Sequence, residues 1–246
     1  MSDFNSWALN PGTLELAENE IHIWRAYLDC GDSALGHFET TLASDETARA
    51  NRFIFAPDRN RFIAARGILR DLLGRYLKRP PTDLEFDYQP EGKPFLRKPS
   101  DQSLQFNLSH THGLAMFCFA RGRELGVDVE LLRPDFAGDE IAARFFSADE
   151  IAELRALPSS SRTEGFFLCW TLKEAYVKAR GGGLNIPLDS FHVSFTPGQP
   201  ERLRSEDSSR WSICSFRPDP GYVGACVAEG AGWRPRHWDW KLSNQK

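Results

Sequence analysis

Leu84-Glu85-Phe86-Asp87-Tyr88-Gln89-Pro90 is echoed by Phe191-His192-Val193-Ser194-Phe195-Thr196-Pro197. Each alternates apolar with mixed residues and ends on proline, the pattern of a strand entering a turn. After each comes a polar stretch and then two more alternating segments: Leu104 to Leu108 with Leu114 to Phe119, and Trp211 to Phe216 with Tyr222 to Val227. A long helix precedes each set. In the first, Phe62, Ile63, Leu69, Leu72, Leu73, Tyr76 and Leu77 recur at helical spacing between Asp58 and Leu77, with Pro80-Pro81 as the stop. The chain therefore reads as α+β, two similar halves that each pack a long helix on an antiparallel sheet, joined near Ala120-Arg121-Gly122-Arg123 into residues 1–122 and 123–246. The likeness is of pattern and not of letters, and chance alternation is the competing explanation. A seam between such halves is a natural ligand cleft.

Just past the join lies Gly126-Val127-Asp128-Val129-Glu130. As a strand it sends Val127 and Val129 into a core and aims Asp128 and Glu130 at one place on the other face, about 6.5 Å apart along the chain. That spacing suits a hard cation, and it equally suits a solvated acidic edge. Forty residues on, Trp170-Thr171-Leu172-Lys173-Glu174-Ala175-Tyr176-Val177-Lys178 sets Glu174 and Lys178 four apart on a helix face. Such pairs are routine on helix surfaces. Here the bulky Phe166, Phe167, Leu168 and Trp170 predict a buried helix, so both charges need partners: a cation for Glu174 and an anion for Lys178.

Elsewhere, Ile21 to Leu28 reads as a strand, and Ser44 as the N-cap of a helix with Thr47 where a capping box prefers Glu or Gln. Arginines 49, 52, 59, 61, 66, 70 and 75 thread the first helices; a solvated face accounts for most, and some could enter a phosphate site. Gly181-Gly182-Gly183 follows a helix, so it is expected to cap a C-terminus and not to cradle phosphate. His110-Thr111-His112 lacks a third zinc ligand at usable spacing, and Ser109 beside His110 is no catalytic dyad because adjacent extended residues point opposite ways. Glu91-Gly92-Lys93-Pro94 puts a lysine in a tight turn, and three tryptophans from Trp233 to Trp240 are expected to cover a core edge.

The 246 residues, 41% hydrophobic and 26% charged, suffice for a full core, and a net charge of −4 argues against bulk nucleic-acid binding. Five scattered cysteines read as reduced thiols of a cytoplasmic protein. Neither a signal peptide in Met1 to Glu20 nor an apolar run of about 18 residues is visible, so no membrane partner is expected.

The segments Glu91 to Pro94, Phe106-Asn107-Leu108-Ser109-His110, Gly126 to Glu130, Arg144-Phe145-Phe146-Ser147-Ala148-Asp149-Glu150 and Trp170 to Lys178 resemble, in order and spacing, the motif series of the Sfp-type 4′-phosphopantetheinyl transferases. The resemblance spans residues from about 45 to 190. It implies a pseudo-dimeric fold with coenzyme A at the interface. It also implies Mg²⁺-dependent transfer of phosphopantetheine to a serine of an apo acyl, peptidyl or aryl carrier protein, leaving adenosine 3′,5′-bisphosphate. Carried over, Asp128, Glu130 and Glu174 match the magnesium-binding acids, and Lys178 the lysine by the pyrophosphate. Lys93, Ser109 and His110 match coenzyme A contacts, with Arg49 and Arg61 matched in the N-terminal helices. Glu174 is the expected base and, with Lys178, the expected catalytic pair. Where the family often carries a second basic residue a few positions before Arg49, this chain has Glu46. An internal pseudo-dimer points to a monomer. Two other classes remain: a non-catalytic module that binds coenzyme A or a carrier protein, and a magnesium-dependent phosphohydrolase that needs no protein acceptor.

Overall fold

A computed structural model describes residues 7–9, 14–101, 103–136, 138–196 and 199–242. The first half runs β1 (Ala8–Leu9), β2 (Glu20–Tyr27), α1 (Asp32–Glu39), α2 (Ser44–Ala50), α3 (Ala56–Leu77), β3 (Phe86–Tyr88), β4 (Pro94–Leu96), β5 (Leu104–Thr111) and β6 (Leu114–Arg121). The second runs β7 (Leu125–Leu131), α4 (Asp139–Phe145), α5 (Ala148–Ala156), α6 (Ser159–Arg180), β8 (His192–Ser194), β9 (Arg202–Arg204), β10 (Trp211–Phe216), β11 (Tyr222–Glu229) and β12 (Arg234–Asp239). Apart from β1 and β12, the elements of the two halves correspond in order. The sheets agree: β2-β6-β5 in one half has the same order of pairing as β7-β11-β10 in the other.

Four layers result. The face of the first sheet that carries Trp24, Ala26, Phe117 and Phe119 packs on α3. Val223, Ala225 and Val227 of the second sheet pack on α6. The remaining faces meet through Ile21, Ile23, Met116, Val127, Val129 and Cys226. Strand alternation decides this, because each strand has an apolar residue for both of its neighbours. On α6, Phe166, Phe167 and Leu172 are at most 1% exposed. Each contributes roughly 1.5–3 kcal/mol by burial, which is how the helix is held despite its charges.

Several boundaries differ from the sequence reading. Helix α3 starts at Ala56 and not at Asp58, since Pro57 is tolerated in a first turn, and it ends on Lys78 in the left-handed region (φ 53°), short of Pro80-Pro81. Ala43, not Ser44, is the N-cap of α2: the Glu46 carboxylate accepts from Ala43 N at 3.0 Å and is itself held by Arg70, which sets the helix frame one residue earlier. The echoed strands are only three residues long, and Pro197 of the second lies outside the described residues. The tryptophan tail does more than cover an edge. Its strand β12 pairs in parallel with β2, Trp238 opposite Trp24, so the end of the chain joins the first sheet. All five cysteines are free thiols; Cys30 and Cys214 are half-buried.

Candidate active site

Strand β5 is an edge of the first sheet and β7 an edge of the second, and they run side by side along the seam. Side chains bridge them. Asn107 Oδ1 accepts from Val127 N (2.9 Å), Ser109 Oγ donates to Asp128 Oδ1 (2.8 Å), and Thr111 Oγ1 donates to Glu130 Oε2 (3.2 Å). Every second residue of β5 is therefore polar towards β7, as strand alternation requires. Val127 and Val129 are buried, and Asp128 and Glu130 share the opposite face, as the sequence predicts.

Helix α6 crosses that face in close contact because Gly126 has no side chain: a Cβ there would lie 2.1 Å from Ala175 O and 2.4 Å from Ala179 N. This approach brings Lys178 Nζ to 2.6 Å from Asp128 Oδ1 and 3.0 Å from Ser109 Oγ. Glu174 lies one turn back on the same helix face. Gly181 ends the helix in the left-handed region (φ 69°), so the glycine run caps it as expected.

Burial, and then the charge of Asp128, pushes the Glu130 carboxyl up to about 7 despite the hydrogen bond from Thr111. The same two causes raise Glu174, against the pull of Lys178. Asp128 Oδ2 is buried without a hydrogen-bond partner. Among the described residues no three acidic, imidazole or thiol side chains stand together as a finished metal cage. The donor chemistry nonetheless fits Mg²⁺: an orphaned carboxylate oxygen lies beside two further carboxyl groups whose ionisation is resisted by burial and mutual repulsion, a set that one hard cation would relieve.

Beside these acids is a cavity of about 390 Å³ whose wall includes Arg49, Arg66, Lys93, Ser109, His110 and Lys178. A larger one of about 920 Å³, walled by Trp170, Glu174 and Ile186 among others, shares Val177 and Lys178 with it. His110 keeps an accessible edge but is crowded by protein on its other side. That crowding, and then the charges of Lys178, Arg61, Arg49 and Arg66, hold its imidazole below the ordinary range. Arg49 lies over the Phe62 ring at 5.4 Å. Lys93 is already engaged, donating to Leu125 O and Lys178 O, both at 3.1 Å, so it ties the end of α6 to the start of β7. Burial lowers its ammonium. Arg61 is not on the cavity wall; it forks onto Asp29 at 2.7 and 3.0 Å. Arg66, one of the arginines that the sequence reading left without an individual role, also lines the smaller cavity. Its flanks Ala64, Ala65 and Gly67 are small and its neighbour Ile63 apolar, a signal that this side of the helix is packed.

A cavity walled by Arg49, Arg66, Lys93 and Lys178, with Lys178 also bonded to Asp128, is suited to an anionic ligand. The N-terminal family model of 4′-phosphopantetheinyl transferases matches residues 31–119, and the model of the 4′-phosphopantetheinyl transferase superfamily matches residues 124–227. The chain is 41% identical to the 4′-phosphopantetheinyl transferase HetI of Nostoc sp. over 95% of its own length and 98% of that protein's. It is 31% identical to the transferase Sfp of Bacillus subtilis, covering 78% and 84%, and 28% identical to the transferase gsp of Aneurinibacillus migulanus, covering 80% and 81%. The chain belongs to the 4′-phosphopantetheinyl transferase family. It is an enzyme that moves 4′-phosphopantetheine from coenzyme A to carrier proteins.

Proposed function

We propose that transfer takes place where Lys178 joins the two cavities, with coenzyme A's nucleotide in the smaller one and the carrier serine arriving from the side of Glu174. The observation that carries this reading is the contact of Lys178 with Asp128 and Ser109 at the wall common to both cavities. Asp128, Glu130 and Glu174 would hold one Mg²⁺, which when bound supplies positive charge to the pyrophosphate.

The protein's own residues do the rest. Glu174, on the wall of the larger cavity one helix turn from Lys178, takes the serine hydroxyl proton. The serine oxygen forms a bond to the phosphorus that carries pantetheine. The bond from that phosphorus to the bridging oxygen breaks, and the electron pair leaves with adenosine 3′,5′-bisphosphate. Lys178 offsets the growing negative charge on that leaving group. His110 and Arg49 fix the nucleotide. The protein works as a cytoplasmic monomer, since both walls of the cleft come from one chain. No described helix is long and apolar enough to cross a membrane.

Incubation with coenzyme A, Mg²⁺ and an apo carrier protein, followed by weighing the carrier, tests the reading. A gain of one phosphopantetheine that disappears with a chelator is expected. Release of adenosine 3′,5′-bisphosphate with no gain on any carrier would point to a phosphohydrolase instead, and coenzyme A binding without turnover to a non-catalytic module.

A further inference from the structure

Strand β7 is an edge of the second sheet, so the backbone groups on its outer side need partners from elsewhere. The first half supplies them with side chains. Asn107 accepts from Val127 N, and Lys93, at the turn between β3 and β4, donates to Leu125 O at 3.1 Å. The same ammonium donates to Lys178 O, also at 3.1 Å, and stands 3.5 Å from Glu124 Oε2. An ammonium has three donors, and here three oxygens face them. The Lys93 side chain is only 12% exposed, although its turn walls the smaller cavity. The contact with coenzyme A that the motif series implies for Lys93 is therefore one its ammonium could make only by giving up a bond it already has.

What the ammonium holds is the end of α6. Lys178 lies in the last turns of that helix, where backbone carbonyls run out of helical partners and a cation is favourable. Leu125 opens β7, the strand that carries Asp128. One buried cation thus fastens the backbone of Lys178 to the strand of its own partner, at the end of the close contact that Gly126 permits. The 2.6 Å contact of Lys178 Nζ with Asp128 Oδ1 depends on both backbones keeping their places. Glu91 of the same turn also reaches across the seam, accepting from Asn185 Nδ2 at 3.4 Å. The turn that walls the smaller cavity is therefore also the piece that seats Lys178.

We infer that Lys93 is a positioning residue, which holds the last turn of α6 on β7 so that Lys178 meets the transferring phosphate, and which acts on turnover without binding coenzyme A. The inference rests on the reading of Lys178 proposed above. Lys93→Met keeps the length of the side chain and removes its donors; steady-state kinetics with an apo carrier protein, beside calorimetric titration with coenzyme A, test its effect. The expected result is a fall in kcat of roughly 10- to 100-fold, the effect of a shift of about 1 Å at a reacting group, with KM and Kd for coenzyme A within about threefold of wild type. Binding sites per chain should stay at the wild-type number. A rise in KM and Kd with kcat near wild type would overturn the inference, since that is what loss of a phosphate contact does. So would unchanged kinetics, or a fall in kcat matched by an equal fall in binding sites per chain, the mark of a merely structural role. In wild type, light acetylation mapped by mass spectrometry should leave Lys93 unmodified both with and without coenzyme A. Lys93 acetylated freely until coenzyme A is added would overturn the inference with no variant involved. A wild type that binds no coenzyme A, or transfers nothing to any carrier, would instead refute the reading on which the inference rests.

Discussion

Asp71 and Arg75 on α3 hold the same helix positions as Glu174 and Lys178 on α6, yet the two pairs behave differently. Asp71 and Arg75 form an ordinary i,i+4 ion pair at 2.8 Å on a partly exposed face. Lys178 turns away from its own helix to Asp128. The cause lies in the strand beneath. Matching β6 to β11 end to end sets Trp24 and Ala26 of β2 where β7 has Asp128 and Glu130. One half fills the space under its long helix with apolar groups; the other fills it with acids, and Lys178 follows them. Helix spacing alone therefore says nothing of role. A duplicated frame shows function where one copy departs from the other.

The frame itself is kept. Glu46 ties α2 to Arg70, whose Nη1 also donates to Pro81 O and Leu84 O. Glu150 ties α5 to Lys173, which donates to Leu188 O and Phe191 O. Each pair clamps a short helix, a long helix and the entry to the echoed hairpin.

The largest expected contrast is in turnover. Lys178→Ala should lower kcat/KM by about 100-fold or more, whereas Arg75→Ala should leave it near wild type and change stability by only about 0.3–0.5 kcal/mol. Similar losses from both would break the comparison. Next come the clamps: Arg70→Met takes from Glu46 its hydrogen-bonded cation and leaves it only Arg66 at 3.9 Å, and Lys173→Met leaves the buried Glu150 without its cation, so each should cost about 3–5 kcal/mol in urea unfolding. If either cost less than about 1 kcal/mol, the clamp account would fail.

The smallest contrast is in pH dependence. Glu130 is pushed above its ordinary 4.5 to about 7, so between those values the folded protein holds a proton that the unfolded chain has released. The stability of metal-free protein should therefore fall as pH rises through that window. Glu130→Gln should flatten the fall in thermal unfolding, while Ala26→Gln in the first half should not. A slope unchanged in Glu130→Gln would contradict this.

Much of this was legible in the sequence. The alternation that opens each hairpin announced the duplication, and alternation within Gly126 to Glu130 placed two valines inward and two acids outward. Both are local periodicities. What escaped depends on distant partners. The frame of α2 was set by Arg70, 24 residues away, and not by its own Ser44. Arg61 has Asp29 to hold it and Lys93 has two backbone carbonyls, and spacing reveals neither. Return of β12 to β2 pairs the two ends of the chain, a contact that no window of sequence contains.

The central claim, that Glu174 does chemistry where its counterpart Asp71 forms a surface pair, is tested most directly by side-by-side turnover of Glu174→Gln and Asp71→Asn at saturating Mg²⁺ and coenzyme A. The account predicts a loss of about 100-fold or more in kcat for the first, with its fold intact by circular dichroism, and near-normal turnover for the second. Near-normal turnover in Glu174→Gln would contradict it.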